Sequence, residues 1–281
     1  MHVFVTGATG YVGSAVVREL IDSGHTVSGL CRSEEKAAGL KATGAEVLYG
    51  TLDDLDTLGS SAAAADGVIH LAFTNDFSDF EGALALDLRA VEAMGAALEG
   101  SGKPFITTAH ANGHTVDQAV LAMAERGIRS SIVSLAPSVH GEGDKGFVPM
   151  MINIARARDF AAYIGDGTNR WPAVHRLDAA VLYRLALESA PAGSRLLGAG
   201  DEGIPLREIA AVIGRQLKVP AVSITPEEAT SHFGFLGPIS ALDITSLYNT
   251  TQASLATREL LGWKPIQPGL IADLEKGHYF A

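Results

Sequence analysis

The sequence predicts an α/β fold in which helices cover both faces of a doubly wound parallel sheet, with a smaller, helix-rich C-terminal lobe. Short, nearly continuous apolar runs alternate with helical patterns over the first two-thirds of the chain. A glycine-rich turn follows the first apolar run directly. Apolar strands separated by helices are typical of a parallel sheet that is buried on both faces and wound with right-handed crossovers.

The individual elements follow from the period of the apolar residues. Strands are predicted at residues 2–6, 26–31, 45–49, 67–72, 104–108, 130–136 and 194–198. Helices are predicted between them, at 11–23, 34–42, 79–99, 111–126 and 178–189. The rhythm changes after Pro149, and the remaining helices, at 206–218, 254–261 and 268–276, indicate the second lobe.

Composition excludes several classes of protein. The 281 residues are 47% hydrophobic and 19% charged, which allows a sizeable core and argues against disorder. A formal net charge of −11 disfavours a nucleic-acid partner, because such a surface repels phosphate backbones. No apolar run approaches the roughly 20 residues that span a bilayer, and the N-terminus has no signal-peptide pattern. The single cysteine, Cys31, fits a reducing cytoplasm, where we expect the protein.

The glycine-rich turn is the strongest functional motif. It reads TGATGYVG at residues 6–13, between the first strand and the first helix. Glycines at 7, 10 and 13 allow a tight turn, close approach to a pyrophosphate and close helix–sheet packing. The helix N-terminus then offers free N–H groups to the phosphates. The motif predicts a bound dinucleotide.

TGATGYVG resembles the glycine motif of the extended and atypical short-chain dehydrogenase/reductase superfamily, whose members have a Rossmann fold. Four further segments are similar to family motifs: VIHLA at 68–72, LAPSVHG at 135–141, WPAVHRLD at 171–178 and LGWKP at 261–265. The resemblance covers almost the whole chain in the right order. It implies a nucleotide-binding domain of residues 1–150 plus about 175–200, and a substrate-binding lobe of residues 151–174 plus 201–281.

The end of the second strand indicates which nicotinamide cofactor is bound. An NAD enzyme usually has an acidic residue there for the ribose hydroxyls, but this chain has Arg32 and Ser33. An arginine fork and a serine hydroxyl suit a 2′-phosphate, which favours NADP(H) over NAD(H); alternatively, Arg32 is an ordinary exposed arginine. After the third strand, Thr51 and Leu52 replace the Asp-Leu that the family commonly places beside the adenine.

The resemblance implies a full set of cofactor-binding residues along the carboxyl ends of the strands. They are Gly7, Thr9, Gly10, Tyr11, Val12, Gly13, Arg32, Ser33, Thr51, Leu52, Leu71, Ala72, Phe73, Thr107, Pro137, Ser138 and Val139.

The superfamily's usual reaction centre is missing from this chain. It consists of a Ser/Thr after the fifth strand and a Tyr-x-x-x-Lys on the next helix. None of the six tyrosines has a lysine four residues further on. Thr108 takes the Ser/Thr position, where it is either a substrate-orienting hydroxyl or a strand-end threonine. The family's loop of ~20 residues before the helix, well beyond common connection lengths, is also absent: either the site is unusually open, or the sequence omits a segment.

His110 and His114 stand one residue beyond the positions of the absent tyrosine and lysine. One atypical subgroup carries His-x-x-x-Arg near this place, whereas this chain has His-x-x-x-His. An imidazole titrates near neutral pH and suits proton transfer to a carbonyl oxygen. The alternatives are a metal site with Asp117, for which no fourth ligand is evident, and two polar residues at an exposed helix start. We expect catalysis by His114 or His110, with Thr108, and no metal.

Four residues are expected near the substrate: His140, Arg170, Trp171 and His175. The alternative for the histidines and the tryptophan is packing or hydrogen bonding. The sequence thus predicts an NADP(H)-dependent oxidoreductase acting on a carbonyl/alcohol pair of a small molecule. A non-catalytic NADP(H) sensor and a nucleotide-sugar epimerase or dehydratase are the alternatives. By analogy with the superfamily we expect a monomer or a homodimer, formed through the helices at 79–99 and 111–126.

Overall fold

The computed structural model describes residues 1–74, 79–109 and 114–280, except for the side chain of residue 114. Its contacts divide the chain into two compact units. Unit 1 comprises Met1–Ser134, Ala179–Leu196 and Glu259–Trp263, and unit 2 comprises Leu135–Asp178, Leu197–Arg258 and Lys264–Ala281. The segment 135–150, which we expected in the nucleotide-binding domain, thus lies in unit 2.

The first half of the chain alternates strands and helices. In order, these are β1 (His2–Thr6), α1 (Tyr11–Asp22), β2 (Thr26–Cys31), α2 (Glu34–Ala42), β3 (Glu46–Tyr49), α3 (Leu55–Ala64), β4 (Gly67–His70), α4 (Phe80–Leu98), β5 (Pro104–Thr108), α5 (His114–Ala122), a 3-10 turn (Met123–Arg126) and β6 (Arg129–Leu135).

The second half is more irregular. It contains β7 (Ser138–His140), α6 (Phe147–Arg158), β8 (Ala161–Ile164), β9 (Arg170–His175), α7 (Arg176–Ser189), β10 (Ser194–Gly198), β11 (Asp201–Pro205), α8 (Leu206–Leu217), β12 (Ala221–Ile224), α9 (Pro226–Phe233), α10 (Gly237–Ser240), α11 (Ile244–Leu247), α12 (Thr250–Leu261) and α13 (Leu270–Glu275), with 3-10 turns at Gly234–Leu236 and His278–Phe280.

A seven-stranded sheet in the order β10-β6-β5-β4-β1-β2-β3 forms the centre of unit 1. Its pairings from β3 through β6 are parallel. The order reverses between β1 and β4, and this switch point is where ligands of open α/β sheets bind. The predicted doubly wound parallel sheet is confirmed, and all seven predicted strands are in it.

The core of unit 1 explains why those strands could be recognised. All four residues of β4 are buried, so the strand reads as an uninterrupted apolar run that ends in a histidine. Phe4 of β1 and Phe105 of β5, the strands on either side of β4, belong to one core cluster with Val91 and Met94 of α4. Because both faces are covered, period-2 alternation is absent, as expected for a parallel sheet.

Several elements differ from the prediction. The helix predicted at 111–126 is α5 followed by a 3-10 turn, which Gly127 ends in the left-handed conformation with φ 73°. The helix predicted at 254–261 begins earlier, at Thr250. Helix α3 was not predicted, because its sequence LDTLGSSAAA contains a glycine and only a weak apolar stripe.

Unit 2 contains two small sheets. One has the order β11-β9-β7, with β7 parallel and β11 antiparallel to β9, and the other pairs β12 with β8 in parallel. Its core joins Ile152 of α6, Trp171 of β9 and Ile213 of α8. None of the helices in the described parts of the chain has the length and apolar character needed to cross a bilayer.

Candidate functional site

The glycine turn of unit 1 is built for close backbone approach. Gly7 has a φ of +67°, and a Cβ atom there would lie 2.7 Å from the backbone of Leu71 and Ala72. The turn closes with the Gly10 amide donating to the Gly7 carbonyl at 2.9 Å. A side chain at position 7 would therefore strain the backbone and collide with the end of β4.

The N-terminus of α1 lies at the glycine turn. Gly10 occupies the N-cap, no side chain of the described residues caps the helix, and the fully described first turn contains no acidic residue. A Cβ atom on Gly13 would collide with the Gly7 carbonyl. The predicted residues Thr9, Tyr11 and Val12 lie between these glycines, in the turn and the first helical turn. The N–H groups of the first helical turn and the positive end of the helix dipole therefore lie at the glycine turn.

A buried chain of hydrogen bonds supports this turn. Parallel register pairs Thr6 with His70, and the Thr6 hydroxyl lies 2.6 Å from His70 Nδ1. The same hydroxyl oxygen accepts from the Leu71 and Ala72 amides at 3.2 Å, so its proton is left for Nδ1. His70 then carries its proton on Nε2 and donates it to Asp87 Oδ1 of α4 at 2.8 Å.

Asp87 is not among the site residues predicted from the sequence, although the sequence carries a signal for it. Asp87 is only 1% exposed and sits on the face of α4 that carries buried Ala83, Ala90 and Val91. A carboxylate on the apolar stripe of a helix requires a buried partner, because desolvating a lone charge is costly. The partner is His70, 17 residues away. The hydrogen bonds from Thr6 through His70 to Asp87 thus connect α4 with the glycine turn.

The ends of β2 and β3 present the predicted adenosine-side residues. Arg32 is exposed, and its guanidinium makes no ion pair or hydrogen bond to any described residue. Ser33 is the N-cap of α2, and no cap bond from its side chain is found in that described stretch. Thr51 donates from its amide to Asp54 Oδ2 at 2.6 Å, while Leu52 is buried.

The remaining predicted cofactor residues of unit 1 lie at the ends of β4 and β5. Leu71, Ala72 and Phe73 directly follow β4 and are half-buried. The Phe73 ring contacts that of Phe80 edge-on, with centroids 5.8 Å apart. Thr107 is 2% exposed and is the register partner of His70.

Thr108, the last residue of β5, is held by a tyrosine of α7. The hydroxyl oxygens of Thr108 and Tyr183 are 2.6 Å apart. Tyr183 is fully buried, and this burial raises the pKa of its phenol well above the usual range. Tyr183 thus stays protonated and does not act as a base, and either hydroxyl can donate in this hydrogen bond. With Tyr183 donating, the Thr108 proton is free to turn toward another acceptor.

Replacing Tyr183 by phenylalanine is expected to lower the free energy of unfolding by about 1 kcal/mol, the net value of one buried hydrogen bond. Urea unfolding of the Y183F variant measures this, with Tyr49→Phe, at an exposed tyrosine, as the control. An effect no larger than that of Tyr49→Phe contradicts the bond.

The histidine pair predicted to act in catalysis falls largely outside the described residues. His110 lies in the undescribed segment 110–113, and His114 is known only as the first residue of α5. Asp117, considered as a third metal ligand, makes an ion pair with Arg195 at 3.3 Å. The role of the pair stays a prediction.

The predicted residues of unit 2 lie on paired strands. Pro137 precedes β7, which consists of Ser138, Val139 and His140. Parallel register sets His140 beside His175 of β9, and their rings meet edge-on with centroids 5.2 Å apart. His140 is fully buried, and its Nδ1 lies 3.0 Å from Asp273 Oδ2 of α13. Sequence analysis did not find Asp273, which lies 133 residues from its partner.

The other two predicted substrate residues have different environments. Trp171 is 4% exposed, and its indole N–H donates to the Leu242 carbonyl at 3.1 Å. Its ring also packs edge-on against Phe147. Arg170, the first residue of β9, is exposed. Trp171 is thus part of the hydrophobic core of unit 2.

Two carboxylates, Asp178 of WPAVHRLD and Asp201 of β11, hold the loop after LGWKP. Asp178 accepts from the amides of Ile266 and Gln267 at 3.0 and 3.1 Å. Asp201 accepts from the Leu270 amide at 2.7 Å. A cavity of about 70 Å³ within unit 2 is lined by His140, His175, Asp178, Gly200, Asp201, Pro265, Gln267, Pro268 and Gly269.

Electrostatics in this part of unit 2 favour a neutral imidazole beside an ionised carboxylate. Burial, followed by the neighbouring His140, lowers the pKa of His175 below its usual value. Burial would raise the pKa of Asp273, but the hydrogen bond from His140 and the electrostatic effects of His140, His278 and His175 together outweigh it, so the pKa falls below its usual value. Burial raises the pKa of Asp144, against hydrogen bonds from Gly146 and Tyr279.

The chain is similar to known proteins along its whole length. The model of the NmrA-like family matches residues 1–140. An uncharacterized protein of Schizosaccharomyces pombe is 46% identical over 301 aligned positions, which cover 100% of both chains. Because this chain has 281 residues, at least 20 of those positions are residues that it lacks.

More distantly related proteins are also similar to most of the chain. The 2-alkyl-3-oxoalkanoate reductase of Stenotrophomonas maltophilia is 26% identical and aligns with 74% of this chain and 73% of its own. The structure of a UDP-glucose 4-epimerase from Thermotoga maritima superposes with a TM-score of 0.72 at 16% identity, covering 100% of this chain and 98% of that one. With the parallel sheet and the glycine turn, these findings show that the chain belongs to the short-chain dehydrogenase/reductase superfamily, among its extended, atypical NAD(P)-binding members.

Proposed function

We propose that the protein is an NADP(H)-dependent oxidoreductase that interconverts a carbonyl and an alcohol on a small molecule. The observation that carries the proposal is the glycine turn of unit 1, with its uncapped helix N-terminus. The relationship to a 2-alkyl-3-oxoalkanoate reductase supports a carbonyl substrate. The absence of a Tyr-x-x-x-Lys sequence distinguishes this chain from the usual members of its superfamily.

The residues of unit 1 fit a dinucleotide. The N–H groups at the start of α1 would bind the pyrophosphate, in space that a Cβ atom on Gly13 would disturb. Arg32 would pair with a 2′-phosphate, and Ser33 would add a hydroxyl bond. When bound, such a cofactor supplies or accepts a hydride at its nicotinamide.

The proton at the substrate oxygen is assigned to the histidine pair. In this proposal an imidazole nitrogen of His114 or His110 gives or takes that proton, since its ordinary pKa lies near ~6.5. The Thr108 hydroxyl orients the substrate oxygen, and Tyr183 supports it by donating to Thr108 Oγ1. We place the protein in the cytoplasm, as a monomer or homodimer.

Two other functions are weighed against this one. A non-catalytic NADP(H) sensor would use the same turn, and it is favoured by the missing tyrosine and lysine. A nucleotide-sugar epimerase or dehydratase is favoured by the similarity to the UDP-glucose 4-epimerase, although at 16% identity this concerns the fold alone.

A panel of carbonyl substrates assayed with NADPH tests the proposal. Wild type is expected to turn over at least one of them, and the double variant His110→Ala/His114→Ala is expected to lose about 100-fold or more in rate, the usual contribution of general acid–base catalysis. The control is His25→Ala, a histidine paired with Glu188 in unit 1. Full activity in the double variant contradicts the assignment of the proton donor, while NADPH binding without turnover across the panel supports the sensor.

Cofactor preference is tested at Arg32. Arg32→Ala is expected to weaken NADPH binding by roughly 30-fold, since a hydrogen bond to a charged group contributes about 2 kcal/mol. NADH binding should not change. The control is Lys41→Ala, which removes one positive charge from an exposed residue of α2. Fluorescence titration with both nucleotides measures the affinities, and equal loss for NADPH and NADH contradicts a 2′-phosphate contact.

A further inference from the structure

The two histidines of β7 and β9 in unit 2 form a pair that the proposed oxidoreduction does not use. Register places His140 and His175 side by side, and both border the cavity of about 70 Å³. This volume accommodates a few water-sized groups. Which ring nitrogen carries the proton in each histidine decides what such a group meets.

Asp273 determines which ring nitrogen of His140 carries the proton. The ionised carboxylate accepts from His140 Nδ1, so the imidazole proton sits on that nitrogen and Nε2 keeps its lone pair. Nε2 is buried and has no hydrogen-bond partner among the described residues. A buried acceptor without a partner costs free energy in the free protein, which a ligand able to donate to it would recover.

The Leu177 amide selects the opposite tautomer for His175. The Leu177 amide donates to His175 Nδ1 at 3.2 Å, so that nitrogen is unprotonated and the neutral ring carries its proton on Nε2. His175 is only half-buried, and burial keeps its pKa below the usual value, so the ring is neutral at neutral pH. One ring thus presents an acceptor and its neighbour presents a donor.

A metal ion is a poorer occupant of the same place. His140, His175 and Asp273 have potential ligand atoms within 4.8 Å of one another. However, binding a metal through His175 Nε2 would require a proton on Nδ1, which would face the Leu177 N–H. The Lys276 ammonium also lies 3.5 Å from Asp273 Oδ1 and opposes a further cation.

The two carboxylates that line the cavity already have partners. Asp178 and Asp201 accept backbone N–H groups of the loop 266–270. The described groups near the pair include two more ionisable side chains, His278 Nε2 at 3.9 Å from Asp273 Oδ2 and the Asp144 carboxyl, which accepts from the Tyr279 hydroxyl. The two histidines and the Gln267 carboxamide are therefore the lining side chains left to recognise a ligand.

We propose that His140 and His175 form a binding site for a hydroxyl group of a small, uncharged ligand. The hydroxyl donates to His140 Nε2 and accepts from His175 Nε2–H, while Asp273 and the Leu177 amide hold the two tautomers. The site belongs to unit 2 alone, and it can bind whether or not unit 1 carries out redox chemistry. A single hydroxyl meets both requirements because it is donor and acceptor at once.

Nitrogen-15 NMR of the imidazole rings tests this proposal on the full chain. In wild type, His140 is expected in the Nδ1–H form and His175 in the Nε2–H form. Ethylene glycol should shift both Nε2 resonances along one saturable curve. Dimethoxyethane, which has similar oxygens but no hydroxyl proton, should not shift His140 Nε2. The reverse tautomers, or equal effects of the two probes, overturn the proposal without any variant.

A substitution at Asp273 adds a second test. In Asp273→Asn, Lys276 favours the amide oxygen on its own side, so the NH₂ group faces His140 and forces the wrong tautomer. Ethylene glycol affinity is expected to fall at least about 10-fold, and Lys276→Met, which leaves the His140 bond in place, is the control. Unchanged affinity in the asparagine variant overturns the proposal. Saturable binding of Zn²⁺ alone at both rings, without an ethylene glycol effect, assigns the site to a metal instead.

Discussion

Replacing Gly13 by alanine is expected to abolish dinucleotide binding and to destabilise unit 1, whereas the same replacement at Gly39 does neither. Both glycines lie inside helices, α1 and α2, where alanine is normally favoured by about 1 kcal/mol. A Cβ atom on Gly13 collides with the Gly7 carbonyl, while one on Gly39 meets no described atom within 4 Å. Comparing the Gly13→Ala and Gly39→Ala variants thus separates the effect of the steric collision from the effect of helix propensity.

The expected size follows from overpacking, which costs about 1–3 kcal/mol in a packed site. The Gly7 carbonyl has to move, and it closes the turn through the Gly10 amide. We expect NADPH affinity to fall by about 100-fold or more and the urea midpoint to fall with it. Gly39→Ala should be neutral or slightly stabilising. If both variants behave alike, the close approach in the turn does not determine binding.

The second large effect is expected at Asp87. Asp87→Ala leaves the buried His70 Nε2–H without its acceptor, and a buried donor left unsatisfied costs about 1–3 kcal/mol. The loss should also reach the glycine turn, because His70 binds the Thr6 hydroxyl. Urea unfolding measures the change, and nucleotide affinity reports whether the turn has moved.

Two comparisons make the result specific to the buried chain. Asp53→Ala removes an exposed carboxylate 3.6 Å from Arg89 and should cost less than about 1 kcal/mol. Asp87→Asn keeps an oxygen for His70 and should fall between the alanine variant and wild type. A loss at Asp87→Ala no greater than at Asp53→Ala would show that His70 and Asp87 do not stabilise the fold.

The sequence predicted the central sheet because burial on both faces leaves an unbroken apolar run. Residues 67–70 are all buried, so β4 could be recognised without any partner. Unit 2 was harder to predict. Strand β7 has three residues and β8 four, and such short runs carry little periodicity.

The site could be predicted only where chemistry follows from local sequence. The glycine turn is local, so it could be recognised from the sequence alone. Tyr183 and Asp273 bind partners 75 and 133 residues away, and such pairs depend on the packing of helices against strand ends. Asp87 was within reach of prediction, since a carboxylate on the apolar stripe of a helix demands a partner.

Strand register links the predicted strands to the contacts within the site. Thr6 pairs with His70, and His140 pairs with His175, because the parallel partners on neighbouring strands stand at matching positions. Each of these two contacts thus joins a pair of family-like motifs that are far apart in sequence. The motif residues could be recognised from the sequence, but their partners required the register.

Isothermal titration of the wild-type protein with NADPH and, in the same buffer, with NADH tests the central claim most directly. The claim is that unit 1 holds a nicotinamide dinucleotide on the turn at Gly7–Gly13 and that Arg32 recognises a 2′-phosphate. We predict one saturable site, with NADPH at least about 10-fold tighter than NADH. Absence of binding by both nucleotides would contradict the claim, and tighter binding of NADH would contradict the role given to Arg32.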